Sequence, residues 1–109
     1  MNLGAPMWTT GSAQKFIATI RESLLHRGWL TYLGGSVMYR GESHNNLDLI
    51  LVPREHVGDL DVAIHTLRQQ SVRFIGRTDD FKGRTIIDAE HQGRSVEIVL
   101  VNDLGGVGR

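Results

Sequence analysis

The stretch that most constrains this chain is LGGSVMYRGESHNNLDLILV, Leu33 to Val52. Tyr32-Leu33 runs into Gly34-Gly35-Ser36, a turn that the middle of an ordinary strand does not tolerate. Nine residues separate Ser36 from Asn46-Leu47-Asp48. Leu49-Ile50-Leu51-Val52 then reads as a strand, stopped by Pro53. The order is strand, glycine turn, short connector, and a strand that begins with polar residues at alternate positions. Such a turn can seat a phosphate on its backbone N–H groups, and the start of the second strand can seat a metal.

The flanking sequence supplies two helices and more strands. Ser12 or Thr10 can cap a helix whose apolar face is Ala13, Phe16, Ile17, Ile20 and Leu24, and Gly28 ends it. Trp29 to Leu33 reads as the first strand. Val37 to Arg40 is expected to form one helical turn, and Gly41 to Asn45 a polar loop. Beyond Pro53, Val57, Leu60, Ile64 and Leu67 recur with helical period, which predicts a second helix over about residues 55–70. Val72 to Arg77 reads as a short strand, and Asp79 to Gly83 as a polar turn. Arg84–His91 and Arg94–Val101 flank Gln92-Gly93, a two-residue hairpin loop with glycine second. The fold class is therefore α+β: a mixed β-sheet with helices packed on one side. Residues 1–109 read as a single domain, with 1–11 and 102–109 expected to be flexible.

Composition removes several function classes. Twelve basic residues balance twelve acidic ones, which gives no strong nucleic-acid signal, though a local patch stays open. The absence of cysteine excludes disulfides and thiolate metal sites. No apolar run reaches membrane-spanning length and no signal pattern opens the chain, so a cytoplasmic protein without a membrane partner is expected.

Leu33, Gly34-Gly35-Ser36 and Asn46-Leu47-Asp48 together resemble the signature of the nucleotidyltransferase superfamily, the DNA polymerase β-like fold. That signature is a hydrophobic residue, Gly-Gly or Gly-Ser, roughly a dozen residues, then acid-hydrophobic-acid on a strand. The element order α-β-turn-β-α-β-β-β matches the minimal core of that fold, so the resemblance runs from the first helix to Val101. It departs at one position: where the family carries its first carboxylate, this chain has Asn46.

The resemblance implies metal-dependent transfer of a nucleoside monophosphate from a nucleoside triphosphate to a hydroxyl, with Mg²⁺ or Mn²⁺ as cofactor. The implied phosphate corner is Gly34, Gly35 and Ser36, with Arg40 nearby. Asn46 and Asp48 lie two apart and project to one face of their strand. The family's third carboxylate precedes an apolar run on a later strand. Val96-Glu97-Ile98-Val99-Leu100-Val101 has that form, so Glu97 is the candidate. Asp48 and Glu97 are the implied catalytic acids, and Asn46, Asp48 and Glu97 the implied metal set. Asn46 offers an oxygen but no charge, which weakens the position that two metals share. The alternative is a catalytically inactive nucleotide- or protein-binding module of the same fold, antitoxin-like or regulatory. No acceptor domain is visible, so a protein partner or homo-oligomer is expected to supply one.

The hairpin carries its own reading. If Gln92-Gly93 is the loop, counting back places Asp88 opposite Glu97. Opposed like charges destabilise a sheet unless a cation neutralises them. A solvated pair, or a one-residue slip, is the plainer alternative. His44 reads as a solvated loop residue, and His26, His56, His65 and His91 lack metal-ligand spacing. A plain α+β domain whose glycine turn serves geometry alone also stays open.

Overall fold

The computed structural model describes residues 7–34, 42–43, 46–55, 58–80 and 83–101. Helix α1 spans Thr10–His26 and buries Ala13, Phe16, Ile17, Ile20 and Leu24, the face that the sequence marks. Its cap is Thr9, one residue before Thr10 and three before Ser12, the expected candidates. The Thr9 hydroxyl accepts from the Ser12 backbone N–H, and the Ser12 hydroxyl accepts from the Thr9 N–H, a reciprocal capping box. Gly28 follows the helix at φ 90°, a conformation that glycine adopts without steric penalty.

The remaining elements are β1 (Trp8–Thr9), β2 (Trp29–Gly34), β3 (Glu42–Ser43), β4 (Leu47–Pro53), α2 (Leu60–Gln69), β5 (Arg73–Asp80), β6 (Arg84–His91) and β7 (Arg94–Val101). Five strands form one sheet in the order β2-β4-β7-β6-β5, and β1 pairs β3 in a two-residue ribbon. Within the large sheet β4 and β7 run parallel, and the other neighbours are antiparallel. One face carries the core. Leu47, Leu49 and Leu51 of β4, Ile98 and Leu100 of β7, and Ile87 of β6 are fully buried with Ile20 and Leu24 of α1 and Leu67 of α2. Each such side chain contributes about 1.5–3 kcal/mol by leaving water. The expected mixed sheet with helices on one side is what the chain forms.

Four local expectations are corrected. Helix α2 begins at Leu60 rather than near Glu55, because Asp59 is its cap and accepts from the Val62 N–H at 3.2 Å. Strand β5 continues through Asp79 and Asp80, which pair with Thr85 and Arg84, so the expected turn is displaced. Glu42 and Ser43, expected in a loop, pair with Thr9 and Trp8. Within the segment 1–11 expected to be flexible, Trp8 is fully buried and Thr10 and Gly11 are helical. The expected helical turn at 37–40 and the tail 102–109 lie outside the described residues.

Candidate functional site

Register decides which side chains meet. Gly34 pairs with Asp48, Asp48 with Glu97, Glu97 with Asp88, and Asp88 with Gly76. One straight row therefore crosses all five strands, with three carboxylates at its centre and a glycine at each edge. Neighbouring strands lie about 4.8 Å apart, so each acid is within side-chain reach of the next. The row lies on the face away from the helices. Asp48 is half-buried between fully buried Leu47 and Leu49, and Glu97 between buried Val96 and Ile98, so both carboxylates point opposite to the core.

Asn46 stands immediately before β4 and reaches the same row. Its amide Nδ2 donates to Glu97 Oε2 at 3.2 Å. The amide thus presents its donor side to the carboxylate. Asn46, Asp88, Ile75 and Met7 also line a shallow depression of about 470 Å³ beside the row. At Gly34, a Cβ would meet Ile50 Cδ1 at 3.7 Å and Asp48 Cβ at 4.0 Å, ordinary contacts. Its φ is not in the left-handed region either. Neither backbone conformation nor packing among the described residues requires glycine at this position.

The structure brings four of the expected site residues together: Gly34, Asn46, Asp48 and Glu97. Gly35, Ser36 and Arg40 lie outside the described residues. The expected opposition of Asp88 and Glu97 is present in the register. The sequence reading grouped Asp48 with Glu97 through the resemblance alone; the parallel β4–β7 pair supplies the register that aligns them. Among the described residues no three His, Cys, Asp or Glu side chains gather as a metal-holding group. Asp79, near the opposite end of the sheet, has its carboxyl held below the usual range, first by the Thr85 hydroxyl at 2.8 Å and then by Arg77 at 3.1 Å.

No family model and no curated protein matches this sequence. Solved structures do. One, described as the structural basis for the activity of a cytoplasmic RNA terminal U-transferase, superposes with a TM-score of 0.64 at 12% identity. The match covers 84% of this chain and 28% of that one, so this chain spans little more than a quarter of the structure it resembles. At that identity the likeness is one of fold. The chain has a nucleotidyltransferase-like fold.

Proposed function

We propose that this chain is a nucleotidyltransferase-type domain, spanning residues 1–109, that binds a nucleoside triphosphate with a divalent ion and transfers the nucleoside monophosphate to a hydroxyl acceptor. The observation that carries the reading is the pairing of Asp48 with Glu97, beside Gly34, on the face of the sheet that the helices leave free. Asp48 and Glu97 would hold the ion. Mg²⁺ is bound through one or two carboxylates plus waters and substrate phosphates, so a two-carboxylate set fits it. When bound, such an ion neutralises phosphate oxygens and stabilises charge on the attacking and leaving oxygens.

The chain's own residues then have distinct tasks. Gly34 ends the row at the sheet edge, and Gly35 and Ser36 follow it in the sequence as the backbone on which a phosphate would be seated. Asn46 orients Glu97 through its amide. Arg40 is assigned to the phosphates, as the resemblance implies. The acceptor is held by groups outside these residues, whether a protein partner, a second subunit or another part of the same protein. Because one solved structure of this fold is described as a cytoplasmic RNA terminal U-transferase, UTP and an RNA end are the first pair to test.

A second reading is favoured by the Asn46–Glu97 hydrogen bond. A neutral amide already satisfies one oxygen of Glu97 without a metal. A domain built this way could bind a nucleotide or a protein and carry out no transfer. One experiment separates the two. Labelled nucleoside triphosphates are incubated with Mg²⁺ or Mn²⁺ and hydroxyl acceptors, and pyrophosphate release is followed with label incorporation. Transfer lost in Asp48→Asn and Glu97→Gln supports the enzyme. Binding without release supports the module. An outcome with neither binding nor release removes the enzyme and the nucleotide-binding module, and leaves protein binding as the module's role.

A further inference from the structure

A second feature lies on the other side of the sheet. The turn end of the β6–β7 hairpin meets the start of α1 in an open groove of about 680 Å³. That is the size of an ordinary small-ligand pocket, about 300–1,000 Å³. Lys15, Arg94, His91, Gln92, Ser12 and Thr19 supply its polar wall. No carboxylate lines the groove among the described residues. Among the described residues the groove thus carries two cations and no carboxylate, a local departure from the chain's zero net charge.

The wall is ordered from behind. The Arg94 guanidinium lies over the Trp8 ring, 5.4 Å from its centroid, and Trp8 is fully buried. The His91 ring stands 4.5 Å from Phe16, also buried. Lys15 and Thr19 are one helical turn apart, so they share the face of α1 that borders the groove. Buried His91 Nδ1 has no hydrogen-bond partner among the described residues. Arg94 precedes Glu97 by three residues, about 10 Å along the strand, and faces the opposite side of the sheet. The groove is thus separate from the acidic row.

We propose that this groove is a phosphate-binding site, taking a phosphoryl group held by Lys15 and Arg94. The carrier is either a small phosphorylated molecule of nucleotide size or a single-stranded nucleic acid, whose phosphates present the same chemistry. Arg94 gives the planar fork that suits phosphate oxygens, and Lys15 a mobile point charge. The proposal does not rest on the reading of the acidic row.

The test uses the full chain in EDTA, so that no metal links the two sites. NMR shift changes are followed on adding pyrophosphate, AMP, or a 5′-phosphorylated single-stranded oligonucleotide, at constant ionic strength. Shifts centred on Lys15, Thr19, Gln92 and Arg94 are expected. Lys15→Gln, an exposed helical substitution, should weaken binding about tenfold, the loss of one charge-assisted hydrogen bond. Arg54→Glu, exposed and outside the groove, should leave it unchanged. If the oligonucleotide binds more tightly than pyrophosphate, and Lys15→Gln lowers its salt slope by about 0.7, the carrier is a strand. Equal binding of pyrophosphate and oligonucleotide identifies the small molecule. Shifts centred elsewhere, equal affinity of wild type and Lys15→Gln, or no binding of any of the three probes at about 10 mM would overturn the proposal. That concentration lies well above the Kd of even a weak specific site.

Discussion

Replacing Asn46 by aspartate converts a donor into a second carboxylate at almost constant volume. In the native chain the amide donates to Glu97 Oε2 at 3.2 Å. Losing a hydrogen bond to a charged acceptor costs about 1.5–3 kcal/mol. Two unit charges at that separation repel by about 1.3 kcal/mol at the dielectric of water, and more where water is partly excluded. Rotation of the side chains relieves part of the sum. The metal-free N46D protein should therefore be about 2–3 kcal/mol less stable than wild type. For a domain of this size that is a fall of roughly 10 °C in Tm. A divalent ion that binds the folded state returns about 2.7 kcal/mol at a concentration one hundred times its Kd. Mn²⁺ should then recover most of the loss in N46D and raise its Tm by more than it raises wild type. The assay is thermal unfolding of both proteins in EDTA and in a Mn²⁺ series. Equal Tm values in EDTA would show that the amide does not support Glu97. A metal-free loss that Mn²⁺ fails to repair would show that the row is not a metal centre missing one acid.

Asp88→Asn removes one of two opposed carboxylates, so stability at low salt should rise by about 0.5 kcal/mol, with the gain shrinking in 1 M NaCl. A gain that ignores salt would point away from charge repulsion. At Gly58 a Cβ would lie 2.5 Å from Trp29 Cζ2 and 2.9 Å from Pro53 Cβ, both in buried residues. Gly58→Ala should cost about 1–3 kcal/mol by denaturant titration, against near zero if the segment shifts freely. Asp79 is held below the usual carboxylate range chiefly by Thr85. Its stabilising contribution is present above the unfolded-state value and is lost as pH falls through the lower folded value. Thr85→Val should move the Asp79 titration, followed by NMR, upward; an unmoved titration would assign the effect to Arg77.

Local chemistry was legible in the sequence and long-range pairing was not. The hairpin bounds Arg84–His91 and Arg94–Val101 follow from alternation on either side of Gln92-Gly93, and both loop residues have positive φ, 52° and 77°. That turn fixes Asp88 opposite Glu97 without knowledge of any other strand. The face of α1 was readable for the same reason, since its period lies within seventeen residues. The start of α2 was not. Pro53 stays in β4 opposite Trp29, and Gly58 packs against the Trp29 ring, so the chain delays its helix until Asp59 can cap it. The β1–β3 ribbon has two residues on each side, too few to show a period. In the candidate site, Asn46 and Asp48 were singled out by the resemblance and by their spacing of two on one strand. Their meeting with Glu97 depends on β4 and β7 pairing in parallel across nearly fifty residues of chain, which composition and periodicity do not encode.

The most direct test of the central claim is calorimetric titration of the wild-type chain with ATP, CTP, GTP and UTP, each in EDTA and in Mg²⁺ or Mn²⁺, alongside Asp48→Asn. The account predicts that at least one triphosphate binds only with the divalent ion, and that Asp48→Asn loses this binding while its Tm in EDTA stays close to wild type. Metal-independent binding of equal strength in both proteins, or no triphosphate binding under any condition, would contradict it.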